Sequence, residues 1–106
     1  MNKKVMEKKL DFRNERDWEQ YHSGENLAKS LIIEAAELLE LYQWGNEVEN
    51  IERLKEELAD VMIYALLLAN RYKLDVEDII LKKIKKNAEK YPVKKAYGSA
   101  KKYNEL

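Results

Sequence analysis

The chain has 106 residues, enough for one domain with a real core and too few for two. Lys plus Arg and Asp plus Glu are balanced at 20 each, so there is no global charge field to recruit a nucleic acid polymer. Cysteine is absent, which excludes disulfides and thiolate metal sites.

Charged residues make up 38% of the chain, but zero net charge, seven Tyr and two Trp predict a folded helical protein with a heavily ionised surface. No signal-peptide pattern opens the sequence, and no apolar run approaches the ~18 residues needed to span a bilayer. A soluble cytoplasmic protein with no membrane partner is expected.

With three Gly and one Pro, breakers are few. Residues 2–21 read as a first, polar helix whose apolar residues Val5, Leu10, Phe12 and Trp18 are irregularly spaced. Residues 21–26 read as the connection, with Ser23 or Asn26 as the cap of the next helix. A second helix is expected over 27–44, stopped by Gly45-Asn46. Asn50 should cap a third helix reaching Tyr72. Asp75, with Asp78 three residues on, should start a fourth that carries Val76, Ile80, Ile84 and Tyr91 inward and ends near Pro92. There is no strand pattern and no internal repeat. The expectation is therefore all-α, a four-helix bundle over residues 1–92, with the Lys- and Tyr-rich segment 93–106 as a tail docking on a neighbouring subunit.

The second helix contains an anomaly. Leu27, Leu31, Leu38 and Leu41 follow the four-three spacing of a packed seam, and the position between them is Glu34. A carboxylate on an apolar stripe is costly to bury unless something pairs with it. Glu37 lies three residues on, about 60° around the axis. On the third helix Leu54, Leu58, Val61, Ala65 and Leu68 repeat the seam spacing, with Glu57 flanking it and Asp60 three residues further. Two such stripes joined by a short loop predict an antiparallel hairpin in which Glu34 and Glu37 face Glu57 and Asp60. Four converging carboxylates cannot all ionise without cations, and Mg²⁺ suits them because it takes oxygen ligands and bridges carboxylates to substrate phosphates. Acids three apart are also common on solvated faces. What favours the metal reading is the seam position of Glu34 and the recurrence on the adjacent helix. A di-iron carboxylate bundle needs two Glu-x-x-His motifs, and with a single histidine, His22, the chain cannot supply both.

Lys83, Asn87 and Lys90 form one polar stripe on the fourth helix, where lysines could neutralise phosphate oxygens. On spacing alone, a solvated lysine face is the simpler account. Trp18 and Trp44, at the ends of the first and second helices, could sandwich a base, although a Trp at a helix end usually packs in a core or interface. His22 by itself reads as a structural histidine.

The runs Arg16-Asp17-Trp18-Glu19-Gln20-Tyr21-His22-Ser23, Asn26-Leu27-Ala28, Glu34-Ala35-Ala36-Glu37-Leu38-Leu39-Glu40, Gln43-Trp44, Glu56-Glu57-Leu58-Ala59-Asp60-Val61 and Lys90-Tyr91-Pro92 together resemble the MazG-type nucleotide pyrophosphohydrolases. The resemblance spans roughly residues 10–98 and is greatest to the small single-domain branch that includes the dCTP pyrophosphatases. It implies metal ligation by Glu34, Glu37, Glu57 and Asp60, usually with Mg²⁺ and with Mn²⁺ as a substitute. It also implies hydrolysis of a nucleoside triphosphate between the α and β phosphates, in the service of clearing surplus or damaged nucleotides. Trp18 and Trp44 match base-pocket positions; Tyr64, Lys83 and Asn87 match positions that contact phosphate, sugar or base. His22, Lys90 and Tyr91 stand inside the matching runs and join them as substrate-binding candidates. Gly24 departs from the proline common after His-Ser in relatives. Glu37, lying off the apolar stripe, is the candidate general base. The resemblance further implies a homo-oligomer, a tetramer of paired dimers ahead of a dimer. Two other readings stand beside this one: a non-enzymatic helical oligomerisation module with internally paired acids, and a nucleotide sensor without turnover.

Overall fold

The structure, a computed structural model, describes residues 3–101. It is all-α, and no strand occurs among the described residues. The chain divides into two compact units, the first running through Leu74 and the second starting at Asp75.

In the first unit, α1 spans Lys3–Glu15 and stops earlier than its polar pattern predicts. Asp17 takes the left-handed conformation with φ 54°, and Trp18–Tyr21 then wind as a short 3-10 turn. Asx side chains tolerate that conformation because they can bond locally. Here the Gln20 amide donates to the Asp17 carboxylate at 2.9 Å. The break turns Trp18 back onto α1, where its ring meets Phe12 edge-to-face at 5.5 Å.

Ser23 caps α2, which spans Gly24–Glu40, by accepting from the Asn26 N–H at 3.1 Å. The helix begins three residues earlier than predicted, and Gly24 is the reason it can. A Cβ at Gly24 would lie 2.0 Å from the Tyr72 hydroxyl, so glycine allows the α2 start to approach the end of α3. Gly24 thus tightens this junction. Tighter turns through Gln43 and Gly45 end α2 before the glycine is reached.

Asn50 caps α3, Ile51–Arg71, by accepting from the Glu52 and Arg53 N–H groups. Gly24 lies against Tyr72, and Glu34 lies beside Glu57, so α2 and α3 run antiparallel as predicted. Their seam holds Leu27, which is 1% exposed, with Leu66, Leu67 and Ala69 also buried. On α2 the expected line Leu27, Leu31, Glu34, Leu38 and Leu41 faces inward. On α3 the seam is one position off the expected line. Leu54, Glu57, Val61, Tyr64 and Leu68 are half-buried, whereas Leu58 and Ala65 are exposed. Glu57 therefore stands in the seam rather than beside it.

In the second unit, Asp75 caps α4, Val76–Lys90, by accepting from the Asp78 N–H at 3.1 Å. Of the residues expected inward, Val76 is half-buried, while Ile80, Ile84 and Tyr91 are exposed in the single chain. Amphipathicity marks a face that needs cover without saying what covers it. Within the segment read as a tail, α5 spans Val93–Ala96. Residues 102–106, the rest of that segment, lie outside the described residues. Among the described residues no helix is long and apolar enough to cross a membrane.

Candidate active site

The α2–α3 seam gathers the predicted acids. Glu34, Glu37 and Glu57 each place a carboxylate oxygen within 4.8 Å of the others. One oxygen of Glu34 and one of Glu57 are shut off from solvent and have no hydrogen-bond partner among the described residues. Glu37 projects from the exposed side of the trio. Hydrogen bonding with Glu34, followed by the charge of Glu34, raises the proton affinity of Glu37 above the ordinary carboxylate range. Glu57 is raised as well, by desolvation first and then by its hydrogen bond with Glu37. A carboxylate has only acceptors, so buried oxygens without a donor call for a cation or a proton. The donor set is all oxygen, as a hard divalent cation prefers.

Asp60, the fourth predicted ligand, stands outside that trio and is exposed. Its charge nonetheless bears on both Glu57 and Tyr64. Its side chain also lines a cavity of about 580 Å³ between α1, the 3-10 turn and α3. Phe12, Trp18, Tyr64 and Leu67 are among its lining residues. Its size falls in the range of small-molecule pockets. The Arg16 guanidinium sits 3.7 Å over the Phe12 ring and braces the aromatic pair from behind. Tyr64 holds its proton more firmly than usual, because of burial and then the charge of Glu34, with a Ser30 hydrogen bond opposing. His22 lies edge-to-face on Tyr64 at 6.4 Å. Burial, and then the Arg13 charge, lower the His22 pKa and keep the imidazole neutral at pH 7. His22 also lines the cavity.

The remaining predicted residues are placed differently. Trp44 is 91% exposed, follows the end of α2, and lines a separate cavity of about 270 Å³ with Glu40 and Arg53. Trp18 and Trp44 therefore do not sandwich a base within one chain, because α2 ends before Trp44 and leaves it beyond the seam. Lys83, Asn87 and Lys90 lie along α4, and Tyr91 caps its end, all in the second unit.

A profile of the MazG-like family matches residues 29–106, most of the chain. The chain belongs to the MazG-like family. Among solved structures, a pyrophosphatase from Archaeoglobus fulgidus is 35% identical, with a TM-score of 0.79 over 84% of this chain and 90% of that one. Proteins named dCTP pyrophosphatase 1 from Mus musculus and Homo sapiens are each 40% identical over 91% of this MazG-like chain. The chain spans 62% of the length of those two relatives.

Lys9, Phe12 and Arg13 of α1 also line the main cavity, which sequence reasoning did not foresee. A signal was present. Val5, Lys9 and Phe12 are spaced four and three apart, so Lys9 takes the same mid-seam place on α1 that Glu34 takes on α2. Burial lowers the Lys9 pKa from 10.5 to about 8. Because the folded value is the lower one, the unfolded chain binds more protons between pH 8 and 10.5, and stability gains with pH across that window. The cost of burying this cation is fully present below pH about 8 and fades as pH rises. Lys9→Met is therefore expected to raise the melting temperature at pH 7 and to raise it less at pH 10. Paired thermal melts check this.

Proposed function

We propose that this MazG-like chain is a Mg²⁺-dependent pyrophosphohydrolase that converts a nucleoside triphosphate and water into a monophosphate and pyrophosphate. The observation that carries the proposal is the carboxylate trio Glu34, Glu37 and Glu57, with two orphaned oxygens, beside an aromatic-lined cavity. The names of the relatives support the same activity and point to dCTP-like substrates.

Glu34, Glu57 and Asp60 would hold the cation, with Glu37 completing the set. When bound, Mg²⁺ or a substituting Mn²⁺ neutralises phosphate charge and acidifies water. The work of the chain's own residues is set by their placement. Trp18 and Phe12 receive the base on their apolar faces, and Tyr64 offers its hydroxyl beside the sugar. Glu37 accepts the proton of the attacking water, a role its raised proton affinity and exposed position both suit. The water oxygen bonds to phosphorus as the bridge between the α and β phosphates breaks, and pyrophosphate leaves. With no cysteine in the chain, direct attack by water is favoured over a thiol-linked intermediate.

Lys83, Asn87, Lys90 and Tyr91 of the second unit are assigned to phosphate, sugar or base on the strength of the sequence resemblance. His22 closes the base cavity. The active form is proposed to be a cytoplasmic homo-oligomer, a tetramer of paired dimers. The exposure of Ile32, Leu39, Trp44, Ile80 and Ile84 in the single chain supports this, and Trp44 would then complete a site across a subunit boundary. The role is clearance of surplus or non-canonical nucleotides. A turnover screen over canonical and modified triphosphates with Mg²⁺, reading pyrophosphate, tests the proposal; no release from any of them would overturn it.

A further inference from the structure

Arg16 stands outside the main cavity but is built against its aromatic wall. Phe12 and Trp18 both line that cavity, and Arg16 does not. Its guanidinium lies 3.7 Å over the Phe12 ring and 5.9 Å from the centre of the Trp18 ring. The same guanidinium donates from Nη1 to the Phe12 carbonyl at 3.1 Å. That carbonyl is among the last four of α1, which a helix leaves without a donor of its own. One side chain therefore closes the end of α1 and covers a face of Phe12. The neighbouring acids compete weakly for it. Glu15 is exposed and 3.7 Å away, and the Asp17 carboxylate accepts from Gln20.

Phe12 and Trp18 are half-exposed, and Trp18 follows the left-handed step at Asp17. Half-exposed rings beside a helix break keep rotamer freedom, and a ligand stacking on them must bear the cost of ordering them. A guanidinium laid on one ring and anchored to the backbone removes much of that freedom in advance. The next step rests on the pyrophosphohydrolase reading, in which Phe12 and Trp18 receive the base. We infer that Arg16 is a positioning residue: it sets the Phe12–Trp18 wall before the nucleotide arrives and acts only through those rings. The base is remote from the phosphorus under attack, so the order of this wall bears equally on substrate and transition state. Such uniform binding shows in KM and leaves kcat alone.

The test measures dCTP turnover with Mg²⁺, and its inhibition by dCMP and by pyrophosphate, in the wild type, Arg16→Met and Arg16→Lys. The two inhibitors divide the substrate, since dCMP carries the base and pyrophosphate does not. The Arg16 side chain is 42% exposed and fills no core, so both variants are expected to fold. A cation–π contact and a hydrogen bond to a carbonyl together correspond to a factor on the order of five to ten. Arg16→Met should raise the KM for dCTP and the Ki for dCMP by that factor, with kcat and the Ki for pyrophosphate unchanged. Arg16→Lys keeps the charge but cannot stack and bond the carbonyl at once, so it should recover part of the loss. A merely structural role would lower the melting temperature and leave the contrast between the two inhibitors as it is in the wild type. Inhibition constants that rise together, or that both stay put in a folded variant, overturn the Arg16 assignment and leave the pyrophosphohydrolase reading standing. A wild type that hydrolyses no triphosphate overturns that reading and the assignment with it.

Discussion

Replacing Glu34 by Gln is expected to reduce pyrophosphate release by on the order of 10²–10³-fold, while the helical circular dichroism stays unchanged. The substitution is nearly isosteric, so the Leu27–Leu41 seam keeps its volume. What it removes is the carboxylate of one of the two acids that carry a buried oxygen without a partner among the described residues. Cation-assisted charge neutralisation supplies several kcal/mol to phosphoryl chemistry, and each ~1.4 kcal/mol lost is a factor of ten in rate. Asp60→Asn should behave in the same way despite its distance from the trio, if the fourth ligand closes in when cation and substrate are present. Glu52→Gln, on the exposed side of α3, is the control and should be silent. Turnover measured alongside circular dichroism decides the matter. Wild-type rates in Glu34→Gln would remove the trio from the mechanism.

Millimolar Mg²⁺ should raise the melting temperature of the wild type and leave that of Glu34→Gln where it was. A ligand that binds only the folded state at about 100 times its Kd stabilises by roughly 2.7 kcal/mol. For a domain of this size that corresponds to a shift on the order of 10 °C. Without the cation, three carboxylates lie within 4.8 Å of one another; hydrogen bonding with Glu34 and then its charge raise the proton affinity of Glu37, and desolvation and then Glu37 raise that of Glu57. Glu34→Gln should therefore be neutral or stabilising in the cation-free protein and should lose its advantage once Mg²⁺ is added. A purely structural acid pairing, as in an oligomerisation module, gives the opposite result for the wild type: no response to Mg²⁺. Four melts, two proteins with and without the cation, separate the two readings.

Much of this site is written in the sequence as charge in the wrong place. Glu34 stands out because four leucines bracket it at helical spacing, and burying a lone carboxylate needs a reason. Ser23, Asn50 and Asp75 cap the helices that the pattern assigns to them, because capping depends on residues only two or three positions away. Glu57, by contrast, reads from spacing as beside the seam when it stands in it. Counting leucines along α3 selects Leu58 and Ala65, but the neighbouring line through Glu57 and Tyr64 is equally periodic. Only the partner helix decides which line turns inward. Lys9 escapes notice when α1 is read as one long irregular helix. The left-handed step at Asp17, which folds Trp18 back onto Phe12, has no signature in spacing.

The sequence by itself determined the helices, their caps, the antiparallel α2–α3 pair and the carboxylate left in its seam. These arise from local hydrogen bonding and from the 3.6-residue period, which act over one or two turns. Only the tertiary structure decided the rotation of α3, the closeness of Glu34, Glu37 and Glu57, and the separation of Asp60 and Trp44 from the features that spacing groups them with. It also decided that a lysine lines the cavity. Those outcomes depend on which of several permissible faces two helices bury together, and that choice is made by packing between residues far apart in the chain.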